Sequence, residues 1–377
     1  MKNSSAEDWI QKAFANAEKQ LRNVSSGSAE KNKIPRSVNE DGTTHLVTPA
    51  DWTSGFFPGS LWYIYEFTKN ENIKKDAARW TLLLDTVKTI RTTHDIGFML
   101  FCSYGNAYRL TGNPEYKQVI IDGSRTLIKR YNPKVGCIKS WDRKPWSAKW
   151  QYPVIIDNMM NLEMLFWATK QTGDSSFYHV ANNHALTTLK NHFRHDNSSY
   201  HVVDYDSLTG KILSKGTHQG ISDSSLWARG QAWGLYGFTM CYRETGNKLF
   251  LQQAEKIADY VLNHKNIPSD HIFYWDFHAL DIPKAPRDAS AAALIASALI
   301  ELSGYVPAKK ENYLKIGETI LKNLSSEQYT AKPGTNNYFI LKHCTGNFPA
   351  NSEIDKPLSY ADYYYLEGLI RLSRKRI

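Results

Sequence analysis

Apolar residues recur at helical spacing through most of the chain, and two kinds of helix alternate. Amphipathic stretches, apolar on one face only, are predicted over 114–131, 175–193, 248–264 and 309–324. Between them lie helices that are apolar nearly all round and carry Gly or Ala, over 105–110, 158–172, 230–245, 289–303 and 361–373. An earlier helix is expected over 60–68, and an amphipathic one over 1–22, followed by a polar loop over 23–39.

A recurring stop marks the ends of the apolar helices: Thr68-Lys69-Asn70, Thr111-Gly112-Asn113, Thr172-Gly173-Asp174, Thr245-Gly246-Asn247 and Ser303-Gly304-Tyr305. Glycine at such a point closes a helix in the left-handed conformation, and a new helix starts directly after it. A constant helix–turn–helix unit with irregular outer spacing predicts about six helical hairpins closed into a ring. Strand-like runs are few, at 201–206 and 338–341, and are expected to form short hairpins in the loops. The fold class is therefore all-α, an (α/α)6 barrel in a single domain over 1–377. The N-terminal helix and loop of residues 1–44 are expected to pack on that barrel.

The polar residues just before the apolar helices fall in register with the hairpins. They are Trp52 with Gly55-Phe56-Phe57; His94-Asp95-Ile96-Gly97-Phe98; Asp157; the run from Thr217 to Asp223 leading to Trp227-Ala228-Arg229-Gly230-Gln231-Ala232-Trp233; Arg287-Asp288; and Tyr360-Ala361-Asp362-Tyr363. Each is weak alone. A ring brings its equivalent ends together around one cavity, so six clusters in register point to a site at one mouth.

Asp157 stands out among them. It sits between Ile155, Ile156, Met159 and Met160. A carboxyl group in apolar surroundings is costly as an anion, so its pKa rises, as a general acid requires. The competing reading is a helix N-cap after Pro153.

Composition narrows the ligand. The 11 Trp, 22 Tyr and 15 Phe fill a large core and supply flat surfaces of the kind that stack on sugars. Net charge is +9 and the pI about 9.1, which favours anionic ligands. Lys and Arg are spread thinly, with no nucleic-acid motif, so an acidic small substrate fits better than nucleic acid. Cys102, Cys137, Cys241 and Cys344 have neither CxxC nor zinc spacing, and Cys102 and Cys241 lie in apolar helical patterns. No apolar run is long enough to span a membrane, and the first thirty residues are too polar for a signal peptide. The chain as given reads as cytoplasmic; removal of a leader would fit a bacterial periplasm equally well. No metal or organic cofactor is suggested.

The runs HDIGF, IIDNMMNLEMLFWA, HQGISDSSLWARGQAWGLYG and YADYYYLEGLIRL resemble the unsaturated glucuronyl hydrolases of glycoside hydrolase family 88, over residues 45–375. The resemblance implies an (α/α)6 barrel and an unusual hydrolysis. The substrate is a lyase-generated di- or oligosaccharide from chondroitin, hyaluronan or heparin, with a C4=C5 double bond in its terminal uronic acid. A carboxylic acid protonates C4, charge develops at C5 and the ring oxygen, water adds at C5, and the hemiketal opens to release the neighbouring sugar.

Residue by residue, the resemblance makes Asp157 the general acid and base, and Asp95 the second catalytic aspartate. It puts His218 and Gln219 near the sugar and the water, and makes His201 a substrate-binding histidine of the strand-like loop. Arg229 becomes the partner of the uronate carboxylate, Trp233 a stacking wall, Trp52 and Trp141 further aromatic walls, and Tyr363 a last contact. The closing run departs from many relatives in having Ala361 before Asp362. Residues 342–358, which in the family help choose between sulfated and unsulfated partners, offer Lys342, His343 and Lys356.

Three rival readings remain. Unsaturated rhamnogalacturonyl hydrolases share the barrel and chemistry but carry a different aspartate motif. A non-catalytic glycan-binding barrel needs no buried Asp157. A terpene-cyclase-like toroid needs a magnesium-binding acidic cluster, which is missing from the sequence.

Overall fold

Four helix–helix junctions of the chain are built in one way. At each, a threonine hydroxyl ends the first helix by donating to the carbonyl four residues back, as Thr172 does to Ala168 at 2.8 Å. The same oxygen accepts the N–H of the residue two further on, Asn70, Asn113, Asp174 or Asn247. That residue in turn caps the next helix, accepting the N–H of Asn72, Glu115, Ser176 or Leu249 at 2.9–3.0 Å. The residue between them is left-handed: Gly112, Gly173 and Gly246 at φ 69°, 76° and 71°, and Lys69 at 57°. The fifth stop differs. Ser303 ends its helix in ordinary right-handed geometry, and a short 3₁₀ turn, Pro307–Lys309, leads into the next helix.

The computed structural model describes residues 4–27 and 33–376. Among them the inner helices are α2 (Phe56–Thr68), α4 (Ile96–Leu100) continued through a π-turn into α5 (Asn106–Thr111), α7 (Leu162–Thr172), α9 (Ala228–Thr245), α11 (Ala289–Leu302) and α13 (Ser359–Arg376). Each touches the next, and α13 touches α2, so the ring closes. Outside them lie α3 (Glu71–Leu82), α6 (Pro114–Leu127), α8 (Ser175–Asn191), α10 (Lys248–Leu262) and α12 (Lys310–Leu324). The fold is the (α/α)6 toroid that the hairpin pattern predicts. Its core is the interface between the two rings; in α11, ASAAALIASALIEL, nearly every residue is buried between α9, α12 and α13.

Helix α1 (Ser4–Gly27) packs on α2, α3 and α13, with Phe14 stacked on Phe67 at 4.0 Å. It thus takes the outer position beside α13, whose sequence neighbours supply no other outer helix. It also runs further than the sequence pattern predicts. The polar stretch expected to be a loop over 23–39 contains the strand Ile34–Val38, paired antiparallel with Thr44–Val47. Residues 338–341 do not form the expected strand. The Asp362 carboxylate accepts the N–H groups of Ile340 and Leu341, at 2.9 and 2.8 Å, that a ladder would need. The hairpin lies further on, Cys344–Asn347 with Ser352–Lys356.

The inner helices run parallel, because the short junctions all follow their C-termini. Their N-termini and the long connections therefore gather at one mouth. Helix dipoles place partial positive charge there, which favours an anionic ligand.

Candidate active site

A short sheet sets the floor of that mouth. Strand Pro153–Ile155 pairs with Val202–Tyr205, in register Ile155 opposite Val202, and the Ile156 N–H reaches the His201 carbonyl at 3.0 Å. Asp157 follows at once, in the first turn of the 3₁₀ segment Ile156–Asn161 that leads into α7. The N-cap positions of that segment and of α7 are Ile155 and Asn161, so the N-cap reading of Asp157 fails. Pairing thus brings together two residues far apart in sequence. His201 Nε2 stands 3.6 Å from Asp157 Oδ2.

The tautomer of His201 follows from its other nitrogen. Nδ1 accepts the backbone N–H groups of His218 and Gln219 at 3.1 and 3.2 Å, so the proton sits on Nε2 and faces Asp157. Burial holds the imidazole well below its usual pKa, and it stays neutral. Trp233 lies beneath, fully buried on α9. Its indole N–H stands near enough to Asp157 to favour the ionised carboxyl, without closing a hydrogen bond. Asp157 Oδ2, His201 Nε2 and Trp233 Nε1 are all buried and unsatisfied by protein groups.

Burial dominates at Asp157 and pushes its carboxyl up to about 7; the Arg229 charge and a backbone N–H pull it down, and Asp95 adds to the rise. Asp95 precedes α4 and takes the Thr93 hydroxyl at 2.6 Å, with His94 Nε2 at 3.2 Å from its other oxygen. Gly97, two residues on, lets α4 press against the 3₁₀ segment: a Cβ there would stand 2.6 Å from Asn161 Cα. Asn161 then accepts the Phe98 N–H at 2.9 Å. The segments that carry the two aspartates are thereby held against one another, by close backbone approach at Gly97 and by the Asn161 side chain.

Asp95, Asp157, Trp52, Trp141, His218, Gln219 and Arg229 line one cavity of about 290 Å³. His201 and Trp233 lie behind Asp157 in its wall. Trp233, a stacking wall by the resemblance, is instead packed on Phe98 and Tyr364 within the core. Tyr363 is elsewhere. It faces the cavity at the opposite end of the ring, bonded to Asn106 and close to Tyr63. Tyr360, one turn earlier on α13, is the tyrosine that lines the mouth.

Arg229 needs a further correction. Its side chain is 1% exposed. One terminal nitrogen meets Asp288 and the Thr345 carbonyl, the other the Gly346 carbonyl. The fork expected to hold a uronate is thus engaged from within the protein. Arg229 contributes its charge to the cavity and anchors the hairpin that forms one wall.

Sequence reasoning missed several lining residues. Arg36 comes from the stretch expected to be a loop; it pairs with Glu353 at 2.7 and 2.9 Å and with Asp51 at 3.0 Å. Glu353 is left-handed at φ 55°, and against the effect of burial His45 and Arg36 hold its carboxyl down at about 2. Trp146, adjacent to no apolar helix, is also in the wall.

Two aspartates on one cavity, one with its carboxyl pushed up to about 7, are an arrangement able to donate and recover a proton near neutrality. The sequence profile of Glycosyl Hydrolase Family 88 matches residues 28–371. The chain belongs to that family. It is 46% identical to an unsaturated glucuronyl hydrolase of Formosa agariphila, over 98% of this chain and 92% of the relative. A crystal structure of an unsaturated glucuronyl hydrolase specific for heparin superposes with a TM-score of 0.95 at 52% identity, covering 98% of this chain and 99% of the other. The enzyme from Bacillus sp. GL1 superposes with a TM-score of 0.89 at 30% identity, covering 97% of each. Family 88 membership makes the chain a glycoside hydrolase. Among the described residues no group of three or more His, Cys, Asp or Glu could hold a metal ion. No helix among them is long and apolar enough to cross a membrane.

Proposed function

We propose that this enzyme removes the unsaturated uronic acid from the non-reducing end of lyase-generated glycosaminoglycan oligosaccharides, with Asp157 as proton donor and acceptor. The observation that carries the reading is Asp157 itself, a carboxyl raised to about 7 on the floor of a small cavity, beside a second carboxylate. A carboxylic acid protonated near neutrality delivers its proton to C4 of the enol ether. As the proton leaves, the new carboxylate finds the His201 and Trp233 N–H groups already facing it, and the Arg229 charge nearby. The carboxylate then takes a proton from the water that adds at C5, which restores the acid. Asp95, anchored by Thr93, is placed to hold sugar hydroxyls.

The 52% identity to a heparin-specific enzyme supports heparin-derived disaccharides as the preferred substrates, ahead of those from chondroitin. The test is absorbance of the conjugated alkene in a panel of unsaturated disaccharides. Loss of signal on adding enzyme, fastest with the heparin-derived members, bears the proposal out. Persistence of the signal throughout the panel overturns it.

A further inference from the structure

The cavity of about 290 Å³ is at the small end of ligand pockets, which run to about 300–1,000 Å³. That is room for little more than a terminal sugar, so on the proposed function the rest of an oligosaccharide must leave across the mouth. One surface there is unlike the rest of the site. Trp146 lies at the rim and is 47% exposed, a rare state for so large an apolar side chain. Its ring is stacked on His218 with centroids 5.1 Å apart and planes at 27°, and Trp141 meets it edge-on at 5.0 Å. One face is thus covered and the other is open.

The ring is held in place. Pro145 begins a 3₁₀ turn, and the buried Ser147 hydroxyl accepts the Lys144 N–H and donates to the Asp142 carbonyl, both at 2.9 Å. Fixing the ring in advance removes much of the ordering cost of binding. Within three residues of Trp146 along the chain are Arg143, Lys144 and Lys149, all exposed. The one carboxylate of residues 139–151, Asp142, is taken by Arg130 at 3.0 Å. Lys149 lies over the Trp150 ring at 4.4 Å, and its charge helps keep His218 neutral.

From this we infer a second sugar-binding subsite at the rim of the cavity, with Trp146 as its platform and Arg143, Lys144 and Lys149 as its anion contacts. Its ligand is an acidic sugar, sulfated or carboxylated, two or more residues in from the unsaturated end. The inference rests on the proposed function for the direction of the chain, and it makes the enzyme prefer longer acidic substrates.

The test measures affinity as well as turnover. Binding of an unsaturated disaccharide and of the tetrasaccharide from the same sulfated series is measured by calorimetry on the Asp157→Asn protein, so that no turnover is needed. The tetrasaccharide is expected to bind about 3- to 10-fold more tightly, the range of one aromatic stacking contact. Adding Trp146→Ala should abolish the difference, Trp146→Phe should keep most of it, and Arg143→Ser/Lys144→Ser/Lys149→Ser should reduce it and its salt dependence. Equal affinity for the two lengths, or a ratio indifferent to Trp146→Ala, overturns the subsite. Turnover of the disaccharide by the wild type reports separately on the proposed function.

Discussion

His201 presents Nε2 to Asp157 Oδ2 from 3.6 Å, with its tautomer set by two backbone N–H groups on the far side of the ring. The donor is therefore in place before Asp157 carries charge. Burial opposes the anion while His201, Trp233 and Arg229 favour it, and the balance near 7 suits a group that must both give and take a proton.

Asp157→Asn should fold normally and lose turnover by about 10²- to 10⁴-fold, the usual contribution of a positioned acid or base. Its stability should show the opposite sign. Below pH 4 the wild-type carboxyl is neutral both folded and unfolded. Between about 4 and 7 the unfolded chain ionises while the folded one keeps its proton, so stability falls by up to about 1.4 kcal/mol per pH unit. The amide of the variant does not titrate and has no such loss. Thermal melts should show the variant gaining on the wild type from pH 4 to 7; a difference independent of pH would contradict the raised pKa.

Trp233→Phe keeps an aromatic ring in the core and deletes the N–H. That N–H favours the ionised carboxyl, so its loss raises the Asp157 pKa further. Activity requires the protonated form, and the basic limb of the pH–rate profile should move to higher pH while the maximum rate falls. An unmoved limb would make Trp233 a packing residue only.

The ring, the hairpin order and the Asp157 environment are legible in the sequence because they rest on local patterns: the Thr-Gly-Asn junctions and a carboxylate set among apolar neighbours. Contacts between distant segments are not. Nothing around Arg229 shows that Asp288 and the carbonyls of residues 345 and 346 close on it. Nor does YADYYYLE show which tyrosine faces the mouth, since that depends on the rotation of α13 against α2. Arg36 is hidden by its polar surroundings, and only its pairing with Glu353, 317 residues away, gives it a place.

Arg229 should behave as an anchor. Arg229→Ala leaves Asp288 buried without its partner, at a cost of about 3–5 kcal/mol. Arg229→Lys keeps the charge and loses the carbonyl contacts, so it should also melt lower. Activity on the uronic acid and on its methyl ester should fall in the same proportion in Arg229→Lys. A selective loss on the acid would show that the guanidinium binds the uronate directly.

At the opposite end of the ring an ionic belt ties the inner helices together. Arg243 on α9 reaches Glu163 of α7 and Glu301 of α11, and Arg371 of α13 meets Glu301 at 2.8 Å. Glu66 of α2 joins Arg109 of α5 and Arg374 of α13. Arg243→Ala should lower stability by about 1–3 kcal/mol in denaturant unfolding, between the cost of losing an exposed pair and a buried one, because Arg243 is half-buried among Glu163 and Glu301. The rate on disaccharide at room temperature should be unchanged, because neither Arg243 nor its partners Glu163 and Glu301 line the cavity that holds Asp157.

The central claim is that Asp157 delivers a solvent-exchangeable proton to C4. Turnover of an unsaturated disaccharide in D₂O, followed by NMR of the product, reads this directly. The account predicts one deuterium at C4, disappearance of the alkene in step with release of the neighbouring sugar, and neither in Asp157→Asn. Release of that sugar with the double bond intact and no deuterium at C4 would contradict it, because the cleavage would then take place at the anomeric carbon.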